Sequence, residues 1–361
     1  MRWKQSPFDT QELVDIIIWH IDHAPGKSKQ DLLTCALVAR FWTYPAQSCI
    51  FRQLLLGGKA LGFRWPLLRR ALGSAPYLVQ HIRRLCFFGG TIMTTSLSDL
   101  FSDMCNFPFT HLEHADVSLP HIHSPMPVQI VLAVRQLFSL STLRSVAIFW
   151  PRSSDDAELF HRLWELCSPS IKHLELNLNG YHPPPKSAPR RSQTPVIFLE
   201  SLHIFTNDSF EHTLDATPFS LEQLNKLSVA SFPEPMLWHS IAPSLQSVQY
   251  LAFAIGVGDD AAEGLKVLSG INAAHQISTI ILETTMFESS VCKKLDAKLS
   301  SLPMRQPPIV VLDTNAENYS YWRQHMPTLR SSNLLRRAVE DLNCHCCSPL
   351  SAWSFARSWE E

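Results

Sequence analysis

Neither sign of charge is in excess. The 361 residues hold 31 Lys and Arg against 32 Asp and Glu, a formal net charge of −1. The basic stripe of a nucleic-acid or acidic-membrane binder is therefore missing. Charge of any kind is sparse, at 17% of residues against about 25% in an average soluble domain, so much of the surface must be neutral or apolar. Long hydrophobic runs are lacking as well. Stretches such as Ile130 to Val134 fall far short of the ~18 residues a membrane span needs. Met1 to Thr10 carries charge and a proline where a secretory signal would be apolar. The nine cysteines are odd in number and mostly scattered, which is how a reduced chain uses them, as small buried apolar residues. These absences predict a soluble cytoplasmic or nuclear protein that binds neither nucleic acid nor membrane.

Catalytic signatures are absent too. There is no G-x-S-x-G and no P-loop, and Gly256-Val257-Gly258 runs on into Asp259-Asp260-Ala261-Ala262 without the third glycine of a dinucleotide fingerprint. His111, His114, His121 and His123 lie close in sequence to Asp116, but Pro120 breaks the segment and no H-E-x-x-H spacing occurs. The Cys344-His345-Cys346-Cys347 cluster lacks the second ligand pair of a structural zinc site. The expectation is a protein without catalysis, metal or cofactor.

What is present is a large apolar stock, 45% of residues with 20 Phe and 10 Trp, enough to offset the ordering entropy of most of the chain. It is also periodic. The pattern apolar, two variable, apolar, one variable, apolar reads IRRLCF at 82–87, LEHADV at 112–117, LRSVAI at 143–148 and IKHLEL at 171–176. It continues as LESLHI at 199–204, LNKLSV at 224–229, VQYLAF at 248–253 and ISTIIL at 277–282, with a weaker PPIVVL at 307–312. The second and third apolar positions are two apart and point the same way from a short strand. One such strand cannot bury its apolar side alone, whereas a stack of them can. Between the strands TTSLSDLFSDM, DDAELFHRLWEL and ESSVCKKLDAKLSSL have helical apolar spacing.

Strand-then-helix at 24–31 residues predicts an α/β fold, a curved leucine-rich-repeat solenoid with parallel strands inside and helices outside, over residues 57–314. An ordinary α/β sheet of short strands stays open as the alternative, because the asparagine that usually follows the strand occurs only as Asn179 and Asn207. The Pro-, Ser- and Arg-rich stretch at 181–195 reads as an exposed loop. Residues 315–361 read as a helical or flexible tail in which LLRRAVEDL is helical.

Residues 7–56 do not follow the repeat. QELVDIIIWHI reads as one helix, DLLTCALVARFW as a second, and AQSCIFRQLLL after Pro45 as a third. Three short helices make too small a core to stand alone. The run ELVDIIIWHI, then DLLTCALVARFW, then IFRQLLL resembles the F-box as it occurs in large fungal families. Cys35-Ala36-Leu37-Val38-Ala39-Arg40 to Trp42 is the most specific part. A divergent leucine-rich array after an F-box is also a familiar arrangement. The chain departs from the usual Leu-Pro-x-Glu start, having Pro7-Phe8-Asp9-Thr10-Gln11-Glu12.

The resemblance implies a substrate receptor of an SCF-type ubiquitin ligase, docked on a Skp-type adaptor and through it on a cullin–RING ligase. Carried over by position, the adaptor anchors are Pro7, Leu13, Ile17, Leu33, Val38 and Trp42. The target protein then meets the outward residues of the strands, which line up in columns. Among these His114, Asp116, Phe149, His173, Glu175, His203, Phe205 and Tyr250 form a mixed aromatic and titratable patch suited to a polar peptide or protein. The other class open to the sequence is a leucine-rich interaction scaffold without a ubiquitin role, its N-terminal helices a cap.

Overall fold

Each copy of the apolar pattern becomes a strand two residues after it begins. In the computed structural model the described residues are 11–23, 29–38, 40–57, 61–88, 101–105, 107–119, 128–149, 162–177, 196–205, 217–229, 246–255, 268–272, 274–284, 289–313 and 316–337. The chain divides into two compact units, Met1–Ile171 with Gln193–Pro195, and Lys172–Ser192 with Val196–Glu361.

The first unit opens with three helices, α1 (Gln11–His23), α2 (Lys29–Val38) and α3 (Arg40–Arg52). Their common core is Val14 and Ile18 from α1, Leu32 from α2 and Ala46 from α3, with Ile21, Cys35, Ala36, Trp42, Cys49 and Ile50 packed around it. Val14 and Ile18 are four apart, and so lie on one face of α1. The Thr43 hydroxyl of α3 donates to the Ala36 carbonyl at 3.0 Å, satisfying an acceptor that the end of α2 leaves open.

Strands β1 (Gln53–Gly57), β2 (Arg84–Phe88), β3 (His114–Ser118) and β4 (Ser145–Phe149) follow. They pair in parallel with no slip: Gln53, Arg84, His114 and Ser145 are successive partners. Between them lie α4 (Leu61–Ser74), a 3-10 turn at Pro76–His81 and α5 (Val128–Phe138). Helix α5 buries Ile130, Val131, Ala133, Val134, Leu137 and Phe138, and Phe138 stacks on Trp164 with centroids 5.5 Å apart.

The second unit repeats the scheme. Strands β5 (His173–Asn177), β7 (Ser201–Phe205), β9 (Lys226–Val229), β10 (Tyr250–Ile255), β11 (Thr279–Thr284), β12 (Ile309–Asp313) and β13 (Leu335–Arg337) form a parallel sheet in that order. A two-stranded pair, β6 (Ile197–Phe198) and β8 (Phe219–Ser220), lies beside it in sequence. Its helices are α6 (Ser289–Ser300), α7 (Ala316–His325) and α8 (Pro327–Ser331).

The interior of both units is made by the pattern itself. The first apolar residues of the eight strong copies, Ile82, Leu112, Leu143, Ile171, Leu199, Leu224, Val248 and Ile277, are at most 2% exposed. In the weak ninth copy Pro307 is exposed and Pro308 is buried in its stead.

Three local expectations are corrected. The third helix does not start at Pro45 and run to Leu56: α3 begins at Arg40 with Pro45 inside it, and Gln53–Gly57 is strand β1. The second helix does not run on to Trp42, since α2 ends at Val38 and Trp42 belongs to α3. LLRRAVEDL is not helical at its start, where Leu335–Arg337 pairs with β12. The cause is Asn333, which takes a left-handed φ of 56° while the Leu334 amide donates to the Leu329 carbonyl at 3.0 Å. That is a helix C-terminus, and the chain leaves it extended. The loop at 181–195 and the cysteine cluster at 344–347 lie outside the described residues. No helix among the described residues is long and apolar enough to cross a membrane.

Candidate functional site: helix α2 and the polar face of the sheets

Helix α2 divides its apolar residues between two directions. Leu32, Cys35 and Ala36 turn into the three-helix core. Leu33, Leu37 and Val38 turn away from it and are 45%, 87% and 65% exposed. The spacing explains the split: 32, 35 and 36 share one side of a 3.6-residue turn, and 33 and 37 share another. On α1, Ile16 is exposed while Leu13 and Ile17 are half-buried. Trp42 is half-buried and packs against the core. Of the six expected anchors, Leu33 and Val38 thus offer apolar surface, and Leu13, Ile17 and Trp42 do so only in part. Pro7 lies outside the described residues. Leu37 and Ile16 were not among the expected anchors. Helical spacing already places Leu37 beside Leu33, so the signal for it was there.

On the sheets, strand alternation sends the odd column residues to the side opposite the core. In the first unit, one row across the strands is Gln53, Arg84, His114 and Ser145, and the next is Leu55, Cys86, Asp116 and Ala147. His114 is exposed, and Asp116 and Phe149 are half-buried. Phe149 falls in a third row, level with Ser118. The Cys86 sulfur accepts from Gln53 Nε2 at 3.6 Å. Burial pushes the Asp116 carboxyl up to about 6, with the positive charge of Arg84 acting the other way.

In the second unit the corresponding rows are His173, Ser201, Lys226, Tyr250 and Thr279, then Glu175, His203, Ser228, Ala252 and Ile281. His173 Nδ1 and Ser201 Oγ are 2.9 Å apart, and Lys226 Nζ sits 5.5 Å from the centroid of Tyr250. Burial lowers the His173 pKa, against the pull of Glu200. It lowers that of His203 to about 4, since the His203 Nε2 atom is shielded from solvent. Phe205 closes β7 level with Asn177.

The eight expected target-binding residues therefore fall into two groups. His114, Asp116 and Phe149 belong to the first unit, and His173, Glu175, His203, Phe205 and Tyr250 to the second. Toward the end of the second unit the side of the sheet opposite the repeat's inward residues is itself closed. Ala252, Ile281 and Val311 are 7%, 3% and 2% exposed and form a second apolar cluster with Ile309 packed on it. Gln53 went unseen because β1 did, although FRQLLL at 51–56 has the repeat pattern and lies 31 residues before Ile82.

A separate cleft of about 330 Å3 opens at α4, lined by Trp65, Pro66, Arg69, Arg70 and Asp103. Asp103 Oδ2 already accepts from Trp65 Nε1 at 2.9 Å and pairs with Arg69 at 3.1 Å. Among the described residues no group of three His, Cys, Asp or Glu side chains is placed to hold a metal ion. No protein-family model matches the chain, and no curated protein is found to be similar to it.

Proposed function

We propose that this chain is the substrate-recognition subunit of an SCF-type ubiquitin ligase. In this reading α1–α3 are an F-box that docks on a Skp-type adaptor. The strands from β1 onward are a leucine-rich-repeat solenoid whose polar sheet face holds the target protein. The observation that carries the reading is the outward apolar edge of α2. Leu33, Leu37 and Val38 stand in water on the helix in which the most F-box-like stretch of the sequence, Cys35 to Trp42, begins. A helix with apolar residues on two sides is built to pack on two partners, its own core and another protein. The unslipped parallel register from strand to strand, at 24–31 residues per step, supports the solenoid.

The test is binding of the purified full-length chain to a Skp-type adaptor by calorimetry, with Leu37→Asp and Val38→Asp beside the wild type. Both positions are more than half exposed, so the variants should fold, as circular dichroism will check. Trp42→Ala would be a poor probe because it also removes core packing, at a cost of about 3–5 kcal/mol for a fully buried Trp. Wild-type binding that drops at least tenfold in the folded variants is the expected result. A folded wild type that does not bind the adaptor overturns the proposal and leaves a scaffold whose first helices are a cap.

A further inference from the structure

Three apolar residues of the second unit are buried on the side of the sheet that the repeat does not use for its core. Ala252, Ile281 and Val311 are successive partners on β10, β11 and β12, each between two inward residues of its strand. Their exposures are 7%, 3% and 2%, whereas Ala147, Glu175, His203 and Ser228, at equivalent places on earlier strands, are all half-buried. Sheet neighbours hide a short alanine more readily than a long isoleucine, yet Ala147 is the more exposed. Cys86, buried at the equivalent place on β2, has the Arg84 side chain bonded to its sulfur. Among the described residues, the one further apolar side chain packed on the strip is Ile309, from β12 itself. Side chains of one sheet stand side by side, so they screen each other's flanks and leave the tops open. The cover on this strip therefore comes from elsewhere in the chain.

We propose that the cover is the segment 338–361 of this same chain, with Trp353 and Phe355 seated on Ala252, Ile281 and Val311. Position favours it first. The segment leaves β13 at Arg337, one strand from Val311, and the strip extends two strand spacings further, about 10 Å. From Arg337 to Trp353 is 16 residues, a reach of up to about 50 Å. The compact unit that contains the strip also takes in the chain to Glu361. The other segments of this unit outside the described residues each run from one strand to the next and belong to the repeats, whereas 338–361 follows β13. Composition favours it next. Trp353 and Phe355 are two apart and so share one side of an extended chain, and aromatic rings bury large apolar area. Glu340, Asp341, Glu360 and Glu361 stand against a lone Arg357 in the segment, and β13 carries Arg336, exposed in the same row as Val311. Seated there, the segment closes the β10–β12 end of the face and leaves β5, β7 and β9 of this unit for a target. The inference concerns the same face as the proposed target surface but holds without it.

Photo-crosslinking in the full-length chain tests it. Phe355 is replaced by p-benzoylphenylalanine, and equal amounts of isotope-labelled and unlabelled chain are mixed, irradiated and digested for mass spectrometry. The expected result is crosslinks within one chain, from position 355 to peptides holding 250–255, 279–284 or 309–313. Crosslinks only to other peptides, crosslinks only between labelled and unlabelled copies, or no crosslink from the incorporated residue overturns the proposal. A full-length double variant, Trp353→Ser with Phe355→Ser, uncovers the strip without touching the sheet. Once circular dichroism shows it folded, it should bind the apolar dye anilinonaphthalene sulfonate at least threefold more than the wild type. Dye binding equal to that of the wild type overturns the proposal as well. Adaptor binding enters none of these readouts.

Discussion

A sheltered imidazole ties the stability of this chain to pH. His203 titrates at about 4 in the folded protein because burial disfavours its cation, while in an unfolded chain it titrates near 6.5. The unfolded state therefore binds the extra proton first. The stabilisation is present above about pH 6.5 and is lost as the pH falls through 4, by on the order of 3 kcal/mol in all. His173 shifts in the same direction. Asp116 works the other way, since its raised carboxyl pKa makes folding easier as the pH falls from 6 toward 4. Urea midpoints of wild type and His203→Gln at pH 7 and pH 4.5 resolve the term. The wild type should lose more stability on acidification than the variant, and equal losses would show that His203 is not held neutral. None of this was visible from the residue types alone. His114 and His203 occupy neighbouring columns in the repeat, yet His114 is exposed and the His203 ring nitrogen is not. Column position says which side of a sheet a residue takes, but the depth of cover depends on neighbours far away in the chain.

At the scale of elements, the end of the second unit shows how one side chain joins three of them. Asp296 on α6 is buried, and its two carboxylate oxygens accept the backbone amides of Thr328 and Leu329 at 3.0 and 2.9 Å. These amides open the short helix α8 and have no intrahelical partner. Helix α8 in turn ends at Asn333 and delivers β13 to the sheet edge. Asp296→Ala should cost about 2–3 kcal/mol, a cap lost together with two buried donors left open. Asp296→Asn, with one oxygen to offer, should fall between the two, as chemical unfolding can measure. The helix itself was legible, because Val291, Leu295 and Leu299 recur at four-residue spacing, and the latter two are buried. The cap was not legible. An aspartate in mid-helix carries no sequence mark of a partner some 30 residues on. Strand β13 was equally hidden, since its inward positions are Leu335 and Arg337 and the apolar pattern stops there.

For the molecule as a whole, thiol chemistry offers a readout of both units together. Cys86, Cys105, Cys167 and Cys292 are buried and free, and Cys35 and Cys49 are half-buried and free. Burial also raises all six thiol pKa values, and only thiolates react readily. Mass spectrometry after maleimide labelling at pH 7 should find the four buried positions unmodified in the native chain and all six modified in urea. Rapid native labelling of Cys105 or Cys167 would mean that the packed interior is not as described.

The sequence by itself determined the strands β2 to β5, β7 and β9 to β12, the columns into which they align, and most of the residues that fill the interior. These follow from a local rule, two apolar residues two apart with a third before them, repeated at near-even steps. It also picked out α1 and the core side of α2, because helical spacing is local too. Only the tertiary structure decided which apolar residues stay in water, as Leu37 does, and which outward positions are covered, as Ala252, Ile281 and Val311 are. Likewise, only the fold gave the Asp296 carboxylate two backbone donors. Burial and hydrogen-bond satisfaction depend on segments brought together from distant parts of the chain, and no window of sequence contains both partners.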